Sequence, residues 1–510
     1  MLFNSYIYIL IFLPVVLTTY LVAGERLHRK LSIAWLVVAS LFFYGWWNPI
    51  YLLLIVGSSV FNFGMGAALN SGLAKNRKLP IVLAGVAINL LLLGYFKYAN
   101  FFIDNVNFAL GTDIQVAPIF LPLAISFFTF QQITFLIDAY RGEIEDYSFV
   151  HYMLFVTFFP QLIAGPIVHH AEMMPQFDRD ETYKPQLGNI EVGLSIFAVG
   201  LFKKIVLADN FALFSTPVFQ AVDSGIPVSM LECWMGTTAF ALQLYFDFSG
   251  YSDMAIGSAR LFGIKLPINF YSPYKAENTP QFWRRWHMTL TRFATQYIFM
   301  PMNLSRGREA ILTDASEQKR FWSSVAYPLM VTFIAVGIWH GAGWNFAIWG
   351  LLQGLFIIIN NLWRQFRRNT LKQNLVETTL VGRVAARGLM MICVIYSLVF
   401  FKAATTAAAF TMAWAMLGLD GFTLDTPIIS ARELLLYGIG GFAIIYLLPN
   451  TQQLFIDYEP SLEPRRNETL WGLEKIKWAP NSRWAAICSL MLAASLLNMN
   501  RISEFIYFQF

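Results

Sequence analysis

Residues 337–350 read GIWHGAGWNFAIWG. Strongly apolar sequence lies on both sides of His340, in a chain that has only six histidines. The stretch reads as a turn between two membrane spans, 324–339 and 344–363. It places an ionisable ring at membrane depth. Arg, Lys or Asp at a helix centre costs about 2.5–3.5 kcal/mol there and a neutral histidine less, so such residues face an interior cavity and carry function by default. Gly341 and Gly343 remove side chains beside the ring and let a backbone or a ligand come close. Trp339, Trp344 and Trp349 are placed to wall an apolar tunnel. The plainer alternative is a hydrogen-bonded ring packed at a helix turn, with ordinary interfacial and core tryptophans. Imidazole titrates near neutral pH, which suits a general base acting on a hydroxyl.

The rest of the chain agrees with a bilayer as its solvent. Of 510 residues, 57% are hydrophobic and 13% charged, against about 25% charged in a soluble domain. The mean hydropathy is +0.52. No long polar remainder is visible, so the expectation is one integral membrane domain over 1–510 with many spans. Residues 4–23 lack a basic leader and are long enough to span, and they read as a retained first helix. Further spans are expected at 31–47, 50–69, 79–97, 119–137, 149–165, 188–207, 228–246, 386–401, 433–448 and 482–498, about thirteen in all. The shorter apolar pieces 99–111, 210–222, 251–263, 281–303 and 405–418 read as re-entrant or interfacial. Half-spans are tolerated only where they are buried in protein or line a wet cavity, which predicts a compact helical body around a funnel. Lys and Arg cluster at 24–30, 70–79, 364–373 and 463–478. These fall on the cytosolic side if the N-terminus lies outside. Cys233, Cys393 and Cys488 fit neither a disulfide framework nor a zinc site.

Four further stretches carry charge or histidine. In FWRRWHMTLTRF (282–293), Phe282, Trp283, Trp286, Leu290 and Phe293 recur at helical spacing, with Arg284, Arg285, His287 and Arg292 away from that stripe. The reading is either an interfacial amphipathic helix or arginines that meet an anionic cofactor, since the guanidinium fork suits phosphate. In QLYFDFSGYSDMAIG (243–257), Ser-Gly-Tyr reads as a helix end. Asp247 and Asp253 are expected to pair with arginines such as Arg284 and Arg285, or else to line a cavity. In FFPQLIAGPIVHHAEMMPQF (158–177), the prolines break the helix, and His169 and His170 read as loop or capping residues rather than metal ligands. Lys203 and Lys204 end a span. They are expected to snorkel or to help hold phosphate. No nucleotide loop, HExxH or channel-filter signal is present, and no metal is expected.

Together these stretches resemble the membrane-bound O-acyltransferase (MBOAT) superfamily, in its bacterial branch that O-acetylates polysaccharides such as alginate and peptidoglycan. The resemblance also takes in LGYFKYANFF (93–102), LPLAISFFTFQQITFLIDAYRG (121–142) and the terminal FIYFQF (505–510), and so covers nearly the whole chain. It implies an all-α polytopic fold, a ring of tilted helices with re-entrant segments around inner and outer funnels, in the bacterial inner membrane. It implies acetyl-CoA as the cytosolic donor, His340 as the superfamily histidine, and His287 as the second histidine of the pattern. It further implies an extracytoplasmic polysaccharide or an SGNH-type transferase as the partner that receives the acetyl group. On that expectation His340 and His287 are the catalytic pair. Arg284, Arg285, Lys203 and Lys204 would hold the donor's phosphates, and Trp339 and Trp344 would line its passage. The competing readings are an acyltransferase fed by a D-alanyl carrier protein and a transporter without chemistry.

Overall fold

The computed structural model describes residues 1–26, 28–71, 77–117, 119–144, 148–374, 379–465, 475–499 and 505–506. The basic segments 24–30, 70–79 and 463–478 and the terminal 505–510 therefore lie partly outside the described residues. Within the described residues the chain is helical and contains no strand. A helix satisfies its own backbone hydrogen bonds, which lipid cannot do for it.

In chain order the principal helices are α1 (Tyr8–Arg26), α2 (Arg29–Gly45), α3 (Tyr51–Asn70), α4 (Lys78–Leu110), α5 (Ile125–Arg141), α6 (Phe149–Thr157), α7 (Leu187–Phe202), α8 (Asp209–Asp223), α9 (Met230–Leu261), α10 (Glu317–His340), α11 (Trp344–Asn369), α12 (Leu380–Lys402), α13 (Thr406–Met416), α14 (Ala431–Leu447) and α15 (Ser482–Asn498). Six of them, α1, α3, α4, α10, α11 and α12, are long and apolar enough to cross a membrane by length and composition. That is fewer than the spans expected. The others are shorter, interrupted or too polar. One continuous buried core runs from Met1 to Ile506.

Several expectations are corrected. The segment 149–165 is not one span: the helix stops at Phe158, restarts for Phe159–Leu162 and then gives way to coil. The piece 99–111 is not re-entrant but continues α4 to Leu110. The piece 210–222 is α8, joined to α7 through the π turn Lys203–Ala208. Ser249-Gly250-Tyr251 does not end a helix. It lies inside the 32-residue α9, which is buried over most of its surface. The stretch 281–303 is broken at 284–287 into Thr279–Trp283 and Met288–Ala294.

The long buried α9 lies against α7 through glycines on both helices. A Cβ on Gly200 would stand 2.6 Å from the Gly250 carbonyl, and one on Gly257 would stand 2.6 Å from the Gly193 carbonyl. Small residues let backbones approach where lipid offers no hydrophobic drive. The close approach brings charge to charge. Lys203 Nζ donates to Asp253 at 2.6 Å and to Thr451 Oγ1 at 2.8 Å. Lys204 Nζ lies 2.7 Å from Asp247 and 2.9 Å from Asp209. The two aspartates thus pair with lysines, not with Arg284 and Arg285. The lysines neither snorkel nor present free ammoniums to a phosphate, because both are held by carboxylates. Burying ions costs free energy unless each is matched, and the glycine contact provides the match. A polar set inside the bundle ties three more helices: Asn62 of α3 bonds to Asn89 of α4 at 3.1 Å and to Gln132 of α5 at 3.0 Å.

Gly257→Ala forces a methyl group against the α7 backbone and is expected to destabilise the protein by about 1–3 kcal/mol. Gly57→Ala, on α3 where a Cβ meets nothing within 4 Å, is expected to leave the melting temperature in detergent unchanged or higher.

Candidate active site

The turn that opened the sequence reading joins α10 to α11. The two helices touch backbone to backbone, since a Cβ on Gly337 would strike the Phe346 carbonyl and one on Gly350 the Phe333 carbonyl. The space beside Gly341 is taken by the Phe346 ring. Its lack of a side chain therefore lets the hairpin close on Phe346. His340 ends α10 and is buried. Three rings enclose it, with centroids at 4.9 Å (Trp339), 5.2 Å (Trp349) and 5.1 Å (Phe401).

The carbonyls at the end of α10 have no partner within their own helix. A second motif supplies one. The π turn Gly94–Tyr98 in α4 aims two consecutive side chains at them. Tyr98 Oη donates to the Ile338 carbonyl at 2.8 Å. Lys97 Nζ donates to the Trp339 carbonyl and, at 3.2 Å, to that of His340. Single π turns mark functional sites in many helices. The charge of Lys97 is also favourable at a helix C-terminus. Reading the sequence alone missed this role. The signal was Lys97 itself, a lone cation in the apolar run LLLGYFKYANFF.

His287 lies in the break of the 282–293 stretch, fully buried, with φ 42° and ψ 53°. A left-handed backbone at a non-glycine residue is costly and is kept where the surroundings enforce it. Asn269 provides the enforcement. Its Oδ1 is 3.0 Å from His287 Nδ1 and accepts from Thr289 Oγ1 at 3.0 Å, while its carbonyl accepts from the Met288 N–H at 2.9 Å. Its amide donates to Ser252 of α9 at 3.1 Å, and Thr289 Oγ1 accepts from the Ile167 N–H at 3.0 Å. The stretches around 167, 252, 269 and 287 therefore meet at one histidine. Trp339 stands between the two histidines, its ring 6.4 Å from His287 and 4.9 Å from His340.

Three cavities share walls around His340, and His287 lines none of them. One of about 780 Å³ is lined by Arg284, Arg292, Arg465, Trp283 and Met288. A slot of about 20 Å³, roughly the room one water needs, is lined by Trp283, Trp286, His340, Trp349, Gln353 and Phe401. A third, of about 940 Å³, is lined by Phe401, Gly341, Asn345, Lys97, Asn100 and Lys402. Trp283 is a wall of the first and the second, and Phe401 of the second and the third.

The expected site residues divide accordingly. His340, His287 and Trp339 come together. Arg284 lines the arginine cavity, but Arg285 does not: it is buried, and its carbonyl accepts from the Tyr271 N–H at 3.0 Å. Trp344 does not line the passage. It is 58% exposed, and its Nε1 donates to Asn105 at 2.8 Å. Trp349, Trp283 and Trp286 stand in the wall instead. His169 caps the helix His170–Phe177 through a capping box with Glu172, as its loop position suggested. Arg292 closes on the same Glu172, at 2.5 and 2.9 Å.

The fold is an all-helical polytopic body, among the described residues, with a buried histidine in a narrow slot between two larger cavities. Residues 119–402 match the profile of the MBOAT, membrane-bound O-acyltransferase family, and the chain belongs to that family. It is 40% identical over 453 residues to the peptidoglycan O-acetyltransferase of Helicobacter pylori, spanning 83% of this chain and 81% of that protein. It is 35% identical over 369 residues to the probable alginate O-acetylase AlgI of Pseudomonas aeruginosa, spanning 70% of this chain and 66% of that protein. A teichoic acid D-alanyltransferase of Streptococcus thermophilus is 28% identical over 243 residues, 47% of this chain and 57% of that protein. The chain is thus a multi-pass membrane O-acyltransferase.

Lys97→Met removes the charged donor to two carbonyls and is expected to cost about 1.5–3 kcal/mol, whereas Tyr98→Phe removes one neutral bond and is expected to cost about 0.5–1.5 kcal/mol. Thermal unfolding of the two variants in detergent checks the order.

Proposed function

We propose that the chain takes the acetyl group of cytosolic acetyl-CoA and delivers it across the membrane for O-acetylation of an extracytoplasmic polysaccharide, such as peptidoglycan, alginate or another exopolysaccharide. The observation that carries this reading is the series of three cavities with shared walls, with His340 in the narrow middle one. The arginine cavity faces the cytosol in this reading. Arg284 and Arg465 there suit the phosphates of CoA, since guanidinium pairs with phosphate through parallel N–H bonds, while Arg292 is already held by Glu172. The pantetheine arm passes Trp283 and brings the thioester to His340, and the slot of about 20 Å³ widens around it as it enters. The third cavity receives the acceptor hydroxyl, from the polymer or from an SGNH-type transferase that completes the reaction.

His340 acts as the general base. It takes the hydroxyl proton as the oxygen adds to the thioester carbon, and returns it to the departing thiolate. His287, with Nδ1 fixed by Asn269, shapes and assists the site through Trp339. The slot is too narrow for bulk water, which favours transfer over hydrolysis. The names of the relatives support the acetyl donor first. The D-alanyltransferases, matched at lower identity over a shorter span, support a carrier-protein donor as the second reading.

Purified protein in detergent, given acetyl-CoA and peptidoglycan or alginate fragments as acceptor, is expected to release CoA, and His340→Ala is expected to lose that release by at least about 10²-fold without a change in melting temperature. A His340→Ala variant with full turnover refutes the role of the histidine. Indifference of the wild type to acetyl-CoA moves the donor to a carrier protein.

A further inference from the structure

The ring that faces His340 across the slot carries a donor that the protein does not use. Trp349 is 5% exposed, and among the described residues its indole Nε1 has no hydrogen-bond partner. An indole N–H can only donate. A buried donor left unmade costs about 1–3 kcal/mol, so each such group in a native fold calls for an explanation. Trp339 Nε1, on another ring against His340, also has no partner among the described residues, but Trp339 does not line the slot and Trp349 does. In the same slot, Trp283 Nε1 donates to Gln353 Oε1 at 3.2 Å, and Gln353 Nε2 donates to Ser397 Oγ at 2.8 Å. Trp349 packs edge-on to His340, at 5.2 Å and 85°, and to Phe401, at 5.0 Å and 62°. Those rings offer no acceptor oxygen. The reaction brings two oxygens to this place: the acceptor hydroxyl, whose proton goes to His340, and the thioester carbonyl, whose oxygen gains charge and needs a donor.

We infer that the Trp349 indole N–H is the hydrogen-bond donor to the thioester oxygen. The inference rests on the reading of His340 given above. The acceptor hydroxyl oxygen bonds to the carbonyl carbon, and its proton passes to His340. The carbonyl π pair moves onto oxygen, where the negative charge is met by the Trp349 N–H. Collapse re-forms the C=O bond and breaks the C–S bond, and the thiolate leaves with the proton returned by His340. A donor already fixed in a dry site needs no reorganisation when charge develops, which is why one such group can carry a large share of a rate.

Trp349→Phe tests this, because it keeps an apolar ring and deletes the N–H. CoA release from acetyl-CoA is measured together with KM and melting temperature, beside wild type and His340→Ala. The expected result is a kcat lower by about 10²-fold, an unchanged KM and a melting temperature that does not fall. A residue that merely packs behaves the other way, with lost stability and kept turnover, and that outcome overturns the inference. Should the phenylalanine variant fail to fold, benzothienylalanine at position 349 keeps the bicyclic shape and replaces N–H by sulfur. Full kcat in that variant overturns the inference as well. If His340→Ala is dead and Trp349→Phe is as active as wild type, only the tryptophan role falls. If the wild type itself releases no CoA, the donor reading fails and the inference falls with it.

Discussion

The contact between α7 and α9 sets the terms for the rest of the molecule. Gly193 and Gly200 on one helix meet Gly257 and Gly250 on the other, and no side chain larger than hydrogen fits between them. Because the backbones touch, Lys203 and Lys204 reach Asp253 and Asp247 in a region that would not tolerate any of the four alone. The charges then act as a lock. Sliding either helix would strand a buried ion at a cost of several kcal/mol. With α9 fixed, Ser252 holds Asn269, and Asn269 holds the left-handed turn of His287.

The second half of the site is built by the same logic from different parts. The α10–α11 hairpin closes through Gly337 and Gly350, and the carbonyls at its tip are satisfied by Lys97 and Tyr98 from α4. Each histidine is thus held by its backbone and by neighbours distant in sequence, and Trp339 joins the two halves. A catalytic group needs such fixed surroundings more than it needs flexibility, since small errors in placement are costly to rate. The cavities on either side differ in kind: arginines line one, lysines with amides the other. The slot between them is lined by aromatic and aliphatic side chains, with Gln353 and Ser397 as its polar groups beside His340.

The sequence made some of this legible. A lone histidine between apolar runs, followed by Gly-x-Gly, marked the hairpin and the buried ring at its tip. The cationic stretch 284–292 and the proline-broken segment near 160 were also visible as special, but the break at 284–287 was not, because the apolar residues there keep helical spacing. Which partner each charge takes was not visible. Asp247 and Asp253 lie nearer in sequence to Arg284 than to Lys204, but pairing follows the contact of α7 with α9. The tryptophans show the same limit. Trp344 and Trp349 are five residues apart on α11, about 140° around a helix of 3.6 residues per turn, so one faces out while the other faces His340. Sequence spacing says they differ in direction without saying which way the helix is turned. His287 gave no local warning of its left-handed backbone, because the strain is imposed by Asn269 from outside.

Composition and hydropathy, then, determined the solvent, the helical class and the depth of His340, since these depend only on how residues partition between water and lipid. Family membership was also carried in the order of the motifs. Tertiary structure alone decided the rotation of each helix, the pairing of the buried ions and the walls of the passage. Those depend on which faces of distant segments touch, and a linear pattern does not contain that.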